Sequence, residues 1–483
     1  MRDSADLIAV VGCGTMGAGI AQIAAAAGHR VLLHDTRPGA ADHAIAAIAS
    51  ALAKRVAAGK LAAADRDTTL ARLAPASALT DLAPASLVVE AVVEDLAVKQ
   101  RLFADLEAAV ADDAILASNT SSLSITAIAA ALRRPERMVG MHFFNPVPAM
   151  ALVEVVSGAA TEPELAERVA ALAAAWGKTP VHARSTPGFI VNRVARPFYA
   201  EALRVLAEGG GDVATLDAVM REAGGFRMGP FELMDLIGHD VNFAVTRSVW
   251  EAFFHDPRFT PSLIQEELVA AGFLGRKTGR GFYRYGDAER PAPSALPPSP
   301  APAVTGDPLA QLASGATIVI DGRTAVARTD GRSATERMAA EHGRPLVLVD
   351  LALDYTKASR VALAVADQAS PDDLARAAGL FQALGKEVSR LDDVPGMLVM
   401  RTVCMLANEA ADAVNQGVCD AAAVDTAMRL GVGYPRGPLA WADALGLRTV
   451  TTVLANLAAA YGEDRYRTSP ILRRRLLAGG SLT

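Results

Sequence analysis

The sequence predicts a doubly wound α/β sheet at the N-terminus, followed by an all-helical domain that occurs twice. Three observations predict it: an apolar strand that runs into a glycine-rich turn and a small-residue helix, an alternation of strand and helix patterns to about residue 185, and an internal repeat at a spacing of 208 residues. Strands buried on both faces by helices read as short, continuous Val/Leu/Ile runs, and such runs recur here.

Residues 6–12 (DLIAVVG) form the first strand. Gly12-x-Gly14-x-x-Gly17 follows at once, then the helix AGIAQIAAAAG, and the next strand, 30–35 (RVLLHD), ends in Asp35. In that context the glycines are a dinucleotide fingerprint and the fold is Rossmann-type. Gly12 makes the tight turn, Gly14 lets the backbone approach a pyrophosphate, Gly17 lets helix pack on strand, and the helix N-terminus faces the phosphates. Asp35 would accept hydrogen bonds from the adenine ribose hydroxyls. It favours NAD over NADP, whose phosphate would meet a like charge, although nearby Arg37 leaves the second open.

A helical stretch over roughly 38–60 ends in Lys54, Arg55 and Lys60 and forms a long hairpin after the second strand. Strand 87–94, a helix through Lys99 and Phe103, strand 115–122, strand 138–144, the strand bearing Glu154, a helix over 162–176 and a strand at 179–184 complete the unit. From 187 the pattern is helical to about 283, and the stretch 290–304 (RPAPSALPPSPAPAV) reads as a linker with little order. The predicted divisions are 1–185 for the dinucleotide-binding domain, 186–288 for the first helical domain and 289–315 for the linker. A degenerate half-sheet over 316–393 and a second helical domain over 394–483 complete the chain.

Composition narrows the function. The chain is 483 residues long, enough for two to four domains, with 51% hydrophobic and 21% charged residues. A net charge of -6 gives no electrostatic case for nucleic acid or an anionic membrane. Cys13, Cys404 and Cys419 fit no disulfide framework and no metal-ligand spacing. The N-terminus MRDSADL is acidic, and glycines at 12, 14, 17 and 19 interrupt the first apolar run. It reads as neither signal peptide nor membrane span, and the expected compartment is the cytoplasm.

The stretch 140–158 (GMHFFNPVPAMALVEVVSG) carries the chemistry. His142 ends one strand, the chain breaks at Asn145-Pro146 and Pro148, and Glu154 sits inside the next strand, within Leu152-Val-Glu-Val-Val156. A carboxylate in a Val-rich strand is costly to bury unless compensated, and His142 on the neighbouring strand would compensate it. Such a pair makes a general base that works near neutrality. A surface His beside an edge-strand Glu is the alternative.

The repeat acts as an internal control. At 208 residues on, Pro187-Gly188 recurs as Pro395-Gly396, Arg193 as Arg401, Glu201-Ala202 as Glu409-Ala410, Asp217 as Asp425, Gly229-Pro230 as Gly437-Pro438, and Asp235 as Asp443. No glycine fingerprint precedes the second copy, and there His142 becomes Asp350, Glu154 becomes Ala362 and Asn192 becomes Met400. Scaffold residues persist while the proposed chemistry does not, so the fold alone does not demand His142, Glu154 and Asn192.

The motifs VVGCGTMGAGIAQ, VVEAVVEDLAVK, SNTSS, HFFNPVP, PGFIVNR and GRKTGRGFYRY resemble the L-3-hydroxyacyl-CoA dehydrogenase family over residues 6–285. The length and the second copy resemble its bacterial subgroup of phenylacetate catabolism, whose members oxidise 3-hydroxyadipyl-CoA. The resemblance implies helical domains of the 6-phosphogluconate-dehydrogenase-like type, NAD as cofactor and an acyl-CoA as substrate. It implies His142 as general base, Glu154 as the group that orients and stabilises its imidazolium, and Ser121 and Asn192 as hydrogen-bond donors to the substrate oxygens. Glu94, Lys99, Asn119, Asn145 and Lys277 would contact or position the cofactor. Lys54 and Lys60 are candidates for the phosphates of coenzyme A. Turn formation by the asparagines and solvated lysines are the plain alternatives.

Single-copy members pair their helical domains across a homodimer, so the second copy here is expected either to join such a dimer or to replace its interface within one chain. A dicarboxylyl substrate would need a cation at its far end, for which Arg196 and Arg227 are candidates. Two other readings stand beside this one: 3-hydroxybutyryl-CoA as substrate, and a catalytically silent NAD(H)-binding protein on the same fold. No metal site is expected.

Overall fold

A computed structural model describes residues 7–286, 289–341 and 343–483. The acidic residues that begin the chain lie outside the described residues. The chain divides into two compact units, the first of residues 1–192 and 417–432, the second of 193–416 and 433–483.

The first unit is built on an eight-stranded sheet. Its strands are β1 (Leu7–Val11), β2 (Arg30–His34), β3 (Leu73–Pro75), β4 (Leu87–Glu90), β5 (Ile115–Ser118), β6 (Met138–Phe143), β7 (Leu152–Ser157) and β8 (Thr179–Arg184). They lie in the order β3-β2-β1-β4-β5-β6-β7-β8, all parallel except the antiparallel β6/β7 pair. The apolar runs follow from burial on both faces: Ile8, Val10, Val139, Met141, Val153 and Val155 are sealed under helices Thr15–Ala26 and Pro163–Ala175. Two strands are shorter than the sequence suggests. β4 stops at Glu90 and β5 at Ser118, because the residues beyond them turn aside to form the rim of the site. The long helical stretch is two helices, Ala40–Ala57 and Ala63–Leu70, that return the chain to β3.

The second unit holds the first helical copy, a smaller sheet and most of the second copy. That sheet runs β13-β12-β11-β10-β9, with β9 at Ile318–Ile320, β10 at Thr324–Arg328, β11 at Leu346–Val349, β12 at Arg360–Val365 and β13 at Glu387–Arg390. β11, β12 and β13 repeat β6, β7 and β8, including the antiparallel central pair. The Pro-rich stretch differs from the sequence reading. Its chain is laid along this unit, with Leu296 N donating to Val388 O (2.7 Å) and Ser294 N to Thr215 Oγ1 (2.8 Å), and helix Pro308–Ser314 follows. Proline's fixed φ and missing N–H suit such an extended path, which leaves few donors to satisfy.

Within this unit the two helical copies pack on each other through helices Arg196–Ala207 and Val399–Asn415. Two buried ion pairs cross the contact reciprocally: Arg193 Nε donates to Glu409 Oε1 and Arg401 Nε to Glu201 Oε2, both at 2.6 Å. Each pair is the other displaced by 208 residues, the signature of an internal two-fold. The symmetry is imperfect: Arg258 contacts Glu409 where its counterpart Tyr466 contacts Glu201.

The exchange extends to the first unit. Residues 417–432 come from the second copy, yet helix Ala421–Gly431 packs on β7 and β8, and Arg184 N donates to Val418 O (2.8 Å). Nothing in the local sequence pattern announces this. Among the described residues no helix is long and apolar enough to cross a membrane.

Candidate active site

The site of the first unit gathers at the carboxyl ends of β1, β2, β4, β5 and β6, where such sheets bind ligands. Gly12, at φ +99°, follows β1, and an added Cβ would come within 2.5 Å of Ala91 O; at Gly17 one would reach 1.8 Å from Gly12 O. At Gly14, by contrast, a Cβ would meet nothing within 4 Å, so the backbone there faces open space. Asp35 closes the cradle, accepting from Cys13 N (2.8 Å), Arg37 N (2.9 Å) and the Arg37 guanidinium (3.1 Å on each oxygen). The Arg37 hydrogen bonds hold its carboxyl well below the usual range. The adjoining cavity, about 610 Å³, is lined by Gly12, Gly14, Asp35, Ala91, Val93 and Leu102 among others. Its size suits an extended organic cofactor. Tight glycines, an open approach at Gly14 and an acceptor for ribose hydroxyls together fit a dinucleotide.

Beside this cradle lies a buried polar network that sequence reasoning saw only in part. Glu90, fully buried, accepts from Lys99 Nζ (2.6 Å), Val92 N (2.6 Å) and Ser118 Oγ (2.6 Å). Lys99 is itself buried and reaches Glu94 at 3.4 Å. The structure therefore places Lys99 beneath the loop, while Glu94 is exposed upon it. Glu94 accepts from Thr120 Oγ1 (2.6 Å), Ser121 N (3.0 Å) and Ser122 N (3.1 Å). Partial desolvation pushes its carboxyl up, but these donors and the Lys99 ammonium more than offset that and keep it below the usual range. Glu90 was not singled out. A carboxylate ending a Val-rich strand nine residues before a lysine was the available signal.

His142 and Glu154 face each other across the β6/β7 pair, with His142 Nδ1 to Glu154 Oε2 at 2.5 Å. The ring lies against Phe144 and Phe189, with centroids at 4.5 and 5.8 Å, and is 5% exposed. Among the described residues no hydrogen bond engages its Nε2. Glu154 is fully buried, and its second oxygen accepts from Ile190 N and Val191 N, each at 2.9 Å. The costly carboxylate of the Val-rich strand is thus compensated by the imidazole and by the first amides of the chain that follows Pro187-Gly188.

The second copy satisfies the same amides differently. Asp350, at the position of His142, accepts from Leu398 N (3.0 Å), Val399 N (2.7 Å) and Met400 N (3.0 Å), while Ala362 stands where Glu154 would be.

Ser121 and Asn192 are brought together, Asn192 Nδ2 donating to Ser121 O at 3.3 Å, and both are half-buried. Asn119 Oδ1 accepts from Phe143 N (2.9 Å), fixing the end of β5 to the end of the His142 strand, and Asn145 lies exposed just beyond it. Lys54 and Lys60 are exposed at the end of helix Ala40–Ala57 and in the turn that follows. Lys277 belongs to the second unit, where its ammonium pairs with Asp240 (2.5 and 2.6 Å).

An aromatic-flanked imidazole held through Nδ1 by a buried carboxylate, beside two half-buried polar side chains and a dinucleotide cradle, can move a proton on and off a substrate hydroxyl. The family profile "3-hydroxyacyl-CoA dehydrogenase, NAD binding domain" matches residues 7–186, and the C-terminal domain of the same description matches 188–285 and again 396–481. The profile "3-hydroxybutyryl-CoA dehydrogenase reduced Rossmann-fold domain" matches 326–395. A 3-hydroxyadipyl-CoA dehydrogenase of Escherichia coli is 47% identical over 99% of this chain and 98% of its own. A 3-hydroxybutyryl-CoA dehydrogenase of Clostridioides difficile is 41% identical over 58% of this chain and 99% of its own. A solved structure described as 3-hydroxybutyryl-CoA dehydrogenase from E. coli superposes with a TM-score of 0.93 at 46% identity, covering 98% of this chain and 99% of that one.

Proposed function

Since this chain belongs to the 3-hydroxyacyl-CoA dehydrogenase family, an NAD-dependent oxidoreductase family, we propose that its substrate is 3-hydroxyadipyl-CoA, as in phenylacetate catabolism. The observation that carries this reading is the 47% identity to the E. coli 3-hydroxyadipyl-CoA dehydrogenase over the whole length, duplicated half included. The reaction turns a 3-hydroxyacyl-CoA into its 3-oxo thioester. In it, His142 Nε2 takes the proton of the C3 hydroxyl. Glu154 holds the ring by Nδ1 and stabilises the imidazolium that forms. Ser121 and Asn192 hold the substrate oxygens and oppose the charge that develops there. NAD, when bound, supplies the acceptor for the hydride leaving C3. Gly12, Gly14, Gly17 and Asp35 hold it, Glu94, Asn119 and Asn145 add contacts, and Lys99 acts through Glu94. Lys54 and Lys60 meet the phosphates of coenzyme A.

The test is NADH oxidation with 3-oxoadipyl-CoA and with acetoacetyl-CoA, wild type beside His142→Gln. A large kcat/KM preference for the dicarboxylyl substrate, lost activity in the variant and retained NADH binding are expected. The description of the E. coli structure favours a second reading, 3-hydroxybutyryl-CoA, which activity confined to acetoacetyl-CoA would support. NADH binding without turnover of either would restore the silent reading.

For the assembly, the paired copies support one reading. The reciprocal Arg–Glu pairs support a chain that supplies both halves of its own interface, an internally pseudo-dimeric monomer. Light scattering should then give the mass of one chain, 50.2 kDa, and twice that mass would refute it.

A further inference from the structure

The carboxylate of Glu154 is held by the chain around it, and part of that chain is backed by the second copy. Within the first unit, helix Ala421–Gly431 lies on β7 and β8. Its last residue, Gly431, stands where the catalytic strand meets the chain that caps it. A Cβ added there would come within 2.8 Å of Leu152 Cδ2 and 3.1 Å of Val191 Cγ2. Leu152 opens β7 two residues before Glu154, and the Val191 amide donates to Glu154 Oε1 (2.9 Å). Both side chains are buried. The two contacts differ in what they can absorb. Leu152 Cδ2 is the far end of a flexible side chain and can swing aside. Val191 opens helix Val191–Val194, where a β-branched side chain has one favoured rotamer. Pressure on it passes to its own backbone, and so to the amide that donates to Glu154.

The repeat supplies the control. In the second unit the equivalent helix of the first copy, Val213–Glu222, lies on β12, the strand with Ala362 in place of Glu154. There Ala223 stands at the position of Gly431, and its carbonyl accepts from Leu353 N (2.9 Å). Glu222 and Arg360, an ion pair at 3.0 Å, stand where the catalytic side has Leu430 and Leu152. The methyl group is missing only on the side that carries the His–Glu pair. Helix propensity does not ask for that, since glycine is a poorer helix former than alanine. Close approach to Leu152 and Val191 does.

We propose that Gly431 is a positioning residue for catalysis. By letting the second copy's helix seat against Leu152 and Val191, it sets the Glu154 carboxylate, and through it the His142 ring, where the reaction needs them. The proposal rests on His142 and Glu154 being the catalytic pair. Gly431→Ala and Gly431→Val, each alone and with Val191→Ala, test it in the full chain. Ala422→Val, on the exposed face of the same helix, and His142→Gln stand beside them. NADH oxidation with acetoacetyl-CoA gives kcat and both KM values, and NADH binding reports folding. A displacement of about 1 Å costs about 100-fold in rate, so Gly431→Val should lower kcat by about tenfold or more, and Gly431→Ala less. Both KM values should stay near wild type, because the loss falls on the chemical step, and Ala422→Val should keep wild-type kcat. Val191→Ala should recover much of the loss by making room, whereas a merely structural defect would deepen when a second buried side chain is cut back. A wild-type kcat in Gly431→Val overturns the proposal, as does a loss that Val191→Ala deepens. If Gly431→Val fails to bind NADH, Gly431→Ala decides by the same rescue, and an unchanged kcat there overturns the proposal. Wild-type kcat in His142→Gln refutes the reading of the pair itself, and the role of Gly431 falls with it.

Discussion

Exchanging the His142–Glu154 pair for the Asp–Ala pair found in the second copy should separate folding from catalysis at this site. Glu154→Ala removes the acceptor of two buried amides, those of Ile190 and Val191. Each orphaned donor costs about 1–3 kcal/mol, so the variant should lose about 2–6 kcal/mol. For a unit of this size that lowers the melting temperature by at least about 4 °C. Adding His142→Asp should recover half or more of the loss, because Asp350 at the equivalent position accepts from three successive amides with no glutamate nearby. Glu154→Gln should melt close to wild type, since an amide oxygen can still accept, yet lose the charge that stabilises the imidazolium. A hydrogen bond to a charged group is worth about 1.5–3 kcal/mol, hence a fall of about 10- to 150-fold in kcat. Thermal unfolding and NADH oxidation with acetoacetyl-CoA read the two effects. The double variant should be stable and inactive. If it melts no higher than Glu154→Ala, the capping role inferred for the carboxylate is wrong.

Glu90→Gln leaves the buried Lys99 ammonium with the longer contact to Glu94 as its remaining carboxylate and should destabilise the first unit by about 3 kcal/mol, read by thermal unfolding, whereas a change under 1 kcal/mol would mean the network is dispensable. Asp35→Ser should raise KM for NAD about tenfold or more and narrow the preference over NADP, because it removes the ribose acceptor and frees Arg37 for a phosphate; an unchanged cofactor ratio in NAD and NADP titrations counts against that. Burial, aided by Glu232, pushes the Asp217 carboxyl up to about 7 from an ordinary 3.8, despite bonds from Tyr283 Oη and the amides of Phe231 and Glu232. A raised acid contributes stability that is whole below its unfolded value and lost as pH rises through its folded one. Between pH 5 and 8 the wild-type melting temperature should fall relative to Asp217→Asn, and parallel curves would contradict the assignment.

What could be read from the sequence was whatever is local or repeated. The glycine fingerprint works within one strand–turn–helix, and the spacing of 208 residues displays scaffold against chemistry without any fold. The His142–Glu154 pairing was inferable because two adjacent strands joined by a Pro-broken turn must place some such residues opposite each other, and the register does. Glu90 escaped notice because its partners arrive from a helix and from another strand. Lys99 was read as a surface or cofactor residue because a lysine's burial depends on the carboxylate beneath it. The docking of residues 417–432 on β7 and β8 was invisible for a similar reason: a helix face names its apolar residues but not the surface that will cover them.

The two reciprocal Arg–Glu pairs have a consequence for the enzyme at work. Partners held only by noncovalent contact separate on dilution, and their stability tracks concentration. Here both faces belong to one polypeptide and meet at an effective concentration set by the tether, whatever the amount of protein present. Specific activity should therefore hold from a concentrated stock down to assay dilution. The tether also halves the penalty for change. In a true two-fold every substitution at the seam is made twice, whereas here it is made once. The seam can drift on one side alone, as Arg258 opposite Tyr466 and Arg204 opposite Asp412 already have.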